Sequence, residues 1–329
     1  MGEGKFWLLF RTSKAYSAAV ISLHGSGTVE NTSPPTLGEM LWPLEWLPLT
    51  VTVAIGALYI YGVVKLRRRG DAWPLGRTVS FVLGGLGSIV LVTQGPLAYL
   101  DTVLLWTHMV QHMILTMIAP VFMALGAPVT LALRVARGRL RSIILAVLHS
   151  RYVKVITFPL VAGAIYILNP WLLYFSDFYE LTLTNSWVHN FNHMHFLIVG
   201  SIWVWALIGI DPMPRMGFPL RLLAVFITLP FHAFLGVTMM GQETLIAEDF
   251  YLSQNRLWGP SLAADQEMAG GLLWVAGDVV GLLLIVVLLI QWAGASEREA
   301  KRVDRDLDRQ EAQAAAVSQS LDTTATDRV

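Results

Sequence analysis

The chain has 329 residues, 55% hydrophobic and only 14% charged, with 23 basic residues balancing 23 acidic ones. A soluble domain carries about a quarter charged residues, so an ordinary globular enzyme is excluded, and the balanced charge argues against a nucleic-acid partner. The absence of cysteine excludes disulfides, thiolate metal sites, iron–sulfur clusters and a cysteine nucleophile together.

Residues 1–43 are expected to form an outer-face extension. Its apolar run at 15–23 is too short to span and follows Lys5, Arg11 and Lys14, the pattern of a weak signal peptide. Seven apolar stretches then approach the roughly 20 residues that a spanning helix needs: 44–64, 79–98, 102–125, 153–175, 187–208, 219–241 and 269–292. No strand-like alternation of the kind that builds a barrel is present. The predicted fold is therefore all-α, a polytopic seven-transmembrane-helix bundle over 44–292, placed as a multi-pass protein in the plasma membrane. Residues 293–329 read as a cytoplasmic tail. It begins as a charged helix with Glu297–Lys301 and Arg302–Asp306 at i,i+4 spacing, then fades into disorder after Gln310.

Orientation follows the basic residues. Lys65, Arg67, Arg68, Arg69 and Arg77 fill the first loop, and Arg134, Arg137, Arg139, Arg141, Arg151 and Lys154 fill the third. Loops 99–101 and 176–186 have no Lys or Arg, and 242–268 has only Arg256. This predicts the N-terminus outside and the C-terminus in the cytoplasm.

Ionisable groups inside spans are costly and are candidates for function. Of the eight histidines, His24 falls in the extension and His149 in the inner basic loop, while His108, His112, His189, His193, His195 and His232 fall in helices. At 1.5 Å rise per residue, His108 and His193 lie about 9 Å below the outer surface, His232 about 13 Å and His112 about 15 Å. All six occupy the outer half of the bilayer. His108 and His112 share a helix face, as do His189 and His193, with Met109 beside the first pair. His195 points away from His193. On the sixth span, Met239 lies on the face of His232 and nearer the outside, and Pro230 is expected to kink the helix. Met113, Met117, Met123 and Met194 read as packing or lipid contacts.

Imidazole suits copper among other metals, and thioether favours Cu(I). The candidate metal residues are therefore His108, His112, His189, His193, His195, His232, Met109 and Met239. The nearest charged ligands expected at the outer mouth are Glu243, Asp265 and Glu267. Two other readings use the same residues: a b-type haem protein with facing imidazoles as axial ligands, and a metal or proton transporter using Asp278 with the histidines. A retinal protein is excluded, because the lysines (Lys5, Lys14, Lys65, Lys154, Lys301) all lie outside span interiors. No Ser or Asp is spaced to form an activated nucleophile beside these histidines, so a non-enzymatic role is expected.

Four segments carry a resemblance. HMVQHMILTMIAPVFMALGAPVTLALR (108–134), WVHNFNHMHFLIVGSIWVWALIGIDPMPR (187–215), PFHAFLGVTMMG (230–241) and DQEMAGGLLWVAGD (265–278) resemble, in order, motifs of the caa3-type cytochrome c oxidase assembly proteins, the CtaG family. The EREAKRVDRDLDR tail (297–309) is similar to the actinobacterial branch. The resemblance covers about 42–309 and implies a seven-span assembly factor for a haem–copper oxidase. Its implied partners are oxidase subunits and a copper donor protein, and its implied cargo is copper. Carried over by motif position, the metal residues are the same six histidines. Asp278 stands where many actinobacterial relatives have Glu. The chain does not resemble the single-span copper-delivery proteins that share the name, since those work through cysteines.

Overall fold

The computed structural model describes residues 33–41, 44–213 and 216–326, with side chains to 313. The signal-peptide-like run and His24 lie outside these residues. Among the described residues every regular element is a helix. Six are long and apolar enough to cross a membrane: Trp46–Arg67, Leu75–Thr93, Leu105–Leu125, Ser186–Ile208, Phe218–Gly241 and the helix that begins at Leu262. A seventh crossing comes from Pro159–Tyr174 and Phe178–Thr184, bent against each other by 70°. In chain order this bent pair is the fourth span.

The fourth span departs from the continuous 153–175 helix expected. Arg151–Ile156 is a separate short helix, capped by the Ser150 hydroxyl. It stops ahead of Pro159, whose ring disfavours helical backbone at the preceding residue. After Tyr174 the chain turns at Ser176, whose hydroxyl donates to Leu172 O (2.6 Å) and accepts from Phe178 N (3.3 Å). The bend turns Tyr174 and Tyr179 toward the same interior.

Two ends differ from expectation for local reasons. The seventh span starts at Leu262 rather than 269, and its helix continues beyond the apolar stretch to Thr326. The Ala-rich run at 312–316 favours helix strongly enough to continue it. The charged stretch pairs at i,i+3, with Arg302–Glu299 at 3.9 Å and Arg309–Asp306 at 3.5 Å. The sixth helix runs through Pro230 from Phe218 to Gly241.

The third and fifth spans form the enclosed centre of the bundle. Two carboxylates from elsewhere in the chain anchor helix starts that lack caps of their own. Asp265 of the seventh span accepts from Leu105 N (3.1 Å) and Trp106 N (2.9 Å) at the start of the third. Asp211, beyond the fifth span, accepts from Val129 N (3.3 Å), Thr130 N (2.7 Å) and Trp205 Nε1 (3.0 Å), which fixes the short helix Pro128–Val135. Each anchor supplies an acceptor for helix-terminal N–H groups where water is absent.

The close approach of the third and fifth spans depends on one proline and one glycine. Pro120 has no N–H to donate to Thr116 O, four residues earlier, and the helix widens into a π-type stretch at Ile114–Ile118. Gly200 fills the space beside that carbonyl. A Cβ on Gly200 would sit 2.0 Å from Thr116 O, against backbone that cannot swing aside. The basic connections gather at the far end. There Arg69 donates to Arg134 O and Val135 O (3.5 and 3.4 Å), and Arg134 pairs with Asp71 at 3.6 Å.

Gly200→Ala should therefore separate the third and fifth spans and destabilise the protein by at least about 1–3 kcal/mol. Gly271→Ala, where an added Cβ meets nothing within 4 Å, should be neutral or stabilising by up to about 1 kcal/mol. Thermal unfolding of both variants in detergent checks the contrast.

Candidate metal centre

Four imidazoles meet where the third and fifth spans begin. His108 and His112 stand one turn apart on the third, and His189 and His193 one turn apart on the fifth, as helical spacing requires. Their ring centroids form a closed circuit: 4.0 Å from His108 to His112, 5.8 Å to His193, 4.3 Å to His189 and 5.8 Å back to His108. His108 and His112 are fully buried. Phe196 stacks on His112 at 4.2 Å, and Tyr179 and Tyr174 close over His108 at 5.1 and 6.3 Å. The Tyr179 and Tyr251 hydroxyls are bonded to each other at 2.7 Å.

Three of the four rings are held from behind, and for two of them the partner decides which nitrogen carries the proton. His189 Nε2 lies 2.8 Å from Asp101 Oδ2. A carboxylate only accepts, so Nε2 is the donor and Nδ1 keeps its lone pair. His193 Nε2 lies 2.8 Å from Gln111 Oε1, and the Gln111 amide is oriented by donating to Val92 O at 2.8 Å. His193 therefore also carries its proton on Nε2. The Tyr174 hydroxyl lies 3.0 Å from His112 Nδ1 and 3.8 Å from Met109 Sδ, so it holds the His112 ring whichever of the two groups carries the proton between them.

The nitrogens left over are the ones that find no partner. His112 Nε2, His189 Nδ1, His193 Nδ1 and both nitrogens of His108 are buried without a hydrogen bond. The Asp101 and Thr182 carbonyls come near His108 and His189 but do not complete one. Buried polar atoms are nearly always satisfied, so five open nitrogens on four adjacent rings is the pattern of a ligand set. A second hydrogen bond that orients each ring is how proteins hold metal-binding histidines. Asp101, His108 and His189 also place one ligand atom each within 4.8 Å of one another.

Asp101 lies in the turn ahead of the third span and is 3% exposed. Glu45 stands at the rim, exchanging backbone bonds with the Gln94 amide at 3.1 Å. Burial, then the Asp101 charge, pushes its carboxyl above the ordinary value.

The structure thus gathers His108, His112, His189, His193 and Met109, and not the remaining sequence candidates. His195 is exposed, bonded to Asn169 Oδ1 at 2.8 Å. His232 is buried but stacks on Tyr166 at 4.8 Å, two turns along the fourth span from Tyr174. Met239 is fully buried in the main core rather than at an open mouth, its carbonyl accepting from Gln266 at 3.1 Å. Asp265, expected as a mouth ligand, is engaged in capping the third span and lies 3.6 Å from Arg256. Asp278 accepts from Trp274 Nε1 at 2.8 Å within its own helix. Sequence reasoning missed Asp101, Gln111, Tyr174 and Tyr179. The available signals were an acid two turns before His108 in a loop free of basic residues, and a glutamine between two histidines of one helix face.

Residues 57–295 match the family described as cytochrome c oxidase caa3 assembly factor. An uncharacterized protein of Mycobacterium bovis and one of Mycobacterium tuberculosis are each 36% identical to the chain over 285 residues, and one of Mycobacterium leprae is 33% identical. Each alignment covers 84% of this chain and 43% of the relative, so the chain spans less than half the length of the curated relatives it matches. No solved structure matches.

Replacing Asp101 by Ala strands the His189 Nε2–H in a buried setting, which should lower stability by about 1–3 kcal/mol. His195→Ala, at an exposed ring, should change it by less than about 0.5 kcal/mol. Metal-free thermal unfolding of the two variants makes the comparison.

Proposed function

The chain belongs to the caa3-type cytochrome c oxidase assembly-factor family, and from that membership we propose that it is a multi-pass plasma-membrane assembly factor that carries copper to a haem–copper oxidase. The cargo is held as Cu(I) among His108, His112, His189 and His193, with the Met109 thioether beside them. It is received from a donor protein and passed to an oxidase subunit. The N-terminus is outside and the C-terminus cytoplasmic, so that the histidine-bearing end faces the compartment where the metal is exchanged.

One observation carries this reading: five buried ring nitrogens without a hydrogen-bond partner on four adjacent rings, three of which are held through their other nitrogen. The donor set is imidazole with thioether and no thiolate, which suits copper. The lack of thiolate also removes the grip that would resist transfer. Asp101 orients His189, Gln111 orients His193 and Tyr174 orients His112, so the chain's contribution is to fix three of the four rings and to leave the Nδ1 lone pairs of His189 and His193 free for the metal. His195, His232 and Met239 are outside the binding set: His232 supports the fourth and sixth spans through Tyr166, and Met239 fills the core.

Elemental analysis of the purified protein tests the cargo. Wild type should carry copper, and His108→Ala or His112→Ala should lose it and block oxidase maturation. His195→Ala and His149→Ala should keep it. Tyr174→Phe removes only the hydroxyl behind His112 and should weaken copper binding about 10- to 100-fold. Equal loss in all four histidine variants, or no copper in the wild type, would overturn the reading.

Topology is tested separately with inserted tags. Those at 140 and 310 should be accessible only from the cytoplasm, and those at 180 and 255 only from outside. Finding 140 and 180 on one side would refute the orientation.

A further inference from the structure

At the end opposite the histidines, the basic connections line an open groove of about 520 Å³. Four arginines line it, Arg69, Arg134, Arg137 and Arg141, against a single acid, Asp71. Arg134 spends its charge on Asp71 at 3.6 Å, and Arg69 donates to two backbone carbonyls. Arg137 and Arg141 have no ion pair or hydrogen bond among the described residues, and both are exposed. The groove therefore presents two guanidinium groups without a counter-charge among the described residues, and their planar forks match the oxygens of a phosphate.

A second feature adjoins it. The helix Gly138–Leu148 carries Arg141 and buries only Leu148. At 100° per residue, Leu140, Ile143 and Val147 fall on one face, and that face is open, at 58%, 51% and 55% exposure. A short amphipathic helix at the end of a membrane bundle, with its apolar face unpartnered, is suited to lie in the plane of the bilayer interface. Basic pockets between spans at this level bind anionic headgroups.

We propose that this groove is a binding site for an anionic phospholipid, whose phosphate sits between Arg137 and Arg141 and whose acyl chains run along Leu140, Ile143 and Val147. The apolar face distinguishes the lipid from a free phosphate, which would use the arginines alone. Such a lipid would tie the third-to-fourth-span connection to the membrane and leave the metal centre at the other end untouched.

The test uses the full chain purified in mild detergent and mixed with phosphatidylglycerol or phosphatidylcholine, with retained lipid read by native mass spectrometry. Wild type should retain phosphatidylglycerol in preference to phosphatidylcholine. Arg137→Gln with Arg141→Gln should lower that retention roughly tenfold or more. Arg139→Gln with Arg151→Gln removes the same charge outside the groove and should leave retention unchanged. Equal loss in both double variants would reduce the effect to general surface charge and overturn the site. Inorganic phosphate displacing the lipid at equal concentration would overturn the lipid assignment in favour of a free anion.

Discussion

In a bilayer interior, a polar group without a protein partner has no water to turn to, and each unmet donor or acceptor costs several kcal/mol on a rough scale. This constraint explains most of the polar atoms in the bundle. Helix starts that lack local caps receive carboxylates from a distance: Asp265 crosses from the seventh span to the third, and Asp211 reaches Val129 and Thr130. The Gln266 amide holds Met239 O and Ile246 N. The imidazole nitrogens at the third and fifth spans are the clustered exception, and that exception is what gives them functional meaning.

The centre exists because two helices approach unusually closely just below it. Pro120 removes a donor from Thr116 O, the helix widens around that point, and Gly200 lets the fifth span press against the exposed carbonyl. The four rings sit about one to three turns from this contact along their helices. Remote capping by Asp265 fixes where the third span starts, and Asn185 fixes the fifth by accepting from Trp187 N and Val188 N. Register and separation of the rings are thereby set by backbone features rather than by the rings themselves.

The rings are then aimed by their rear partners. A histidine that gives one N–H to a carboxylate, an amide or a hydroxyl must present a lone pair on its other nitrogen. His189 and His193 obey this through Asp101 and Gln111, His112 is held by the Tyr174 hydroxyl, and His108 packs against the Tyr174 and Tyr179 rings. The protein thus gathers its largest group of unsatisfied side-chain atoms at this place, among the described residues. A soft metal that needs several neutral nitrogens would relieve it, and weak neutral donors would let that metal leave again.

Much of this was legible in the amino-acid order. Seven apolar runs, the lack of cysteine, and the i,i+4 pairs His108/His112 and His189/His193 determine a helical membrane bundle with imidazoles on two helix faces, because chain length and helical periodicity are local properties. What the order alone could not decide is which faces meet. His232 matched the other histidines in depth, yet its helix turns it onto Tyr166, and His195 faces outward to Asn169. Asp101 lay in a connecting loop and joined the centre only because the third and fifth spans start side by side. The bend that brings Tyr174 and Tyr179 over His108 depends on a turn at Ser176 inside an otherwise apolar stretch. Depth along a helix follows from counting residues, whereas rotation about its axis and the choice of neighbour follow from packing against other helices, and that is fixed only in the tertiary structure.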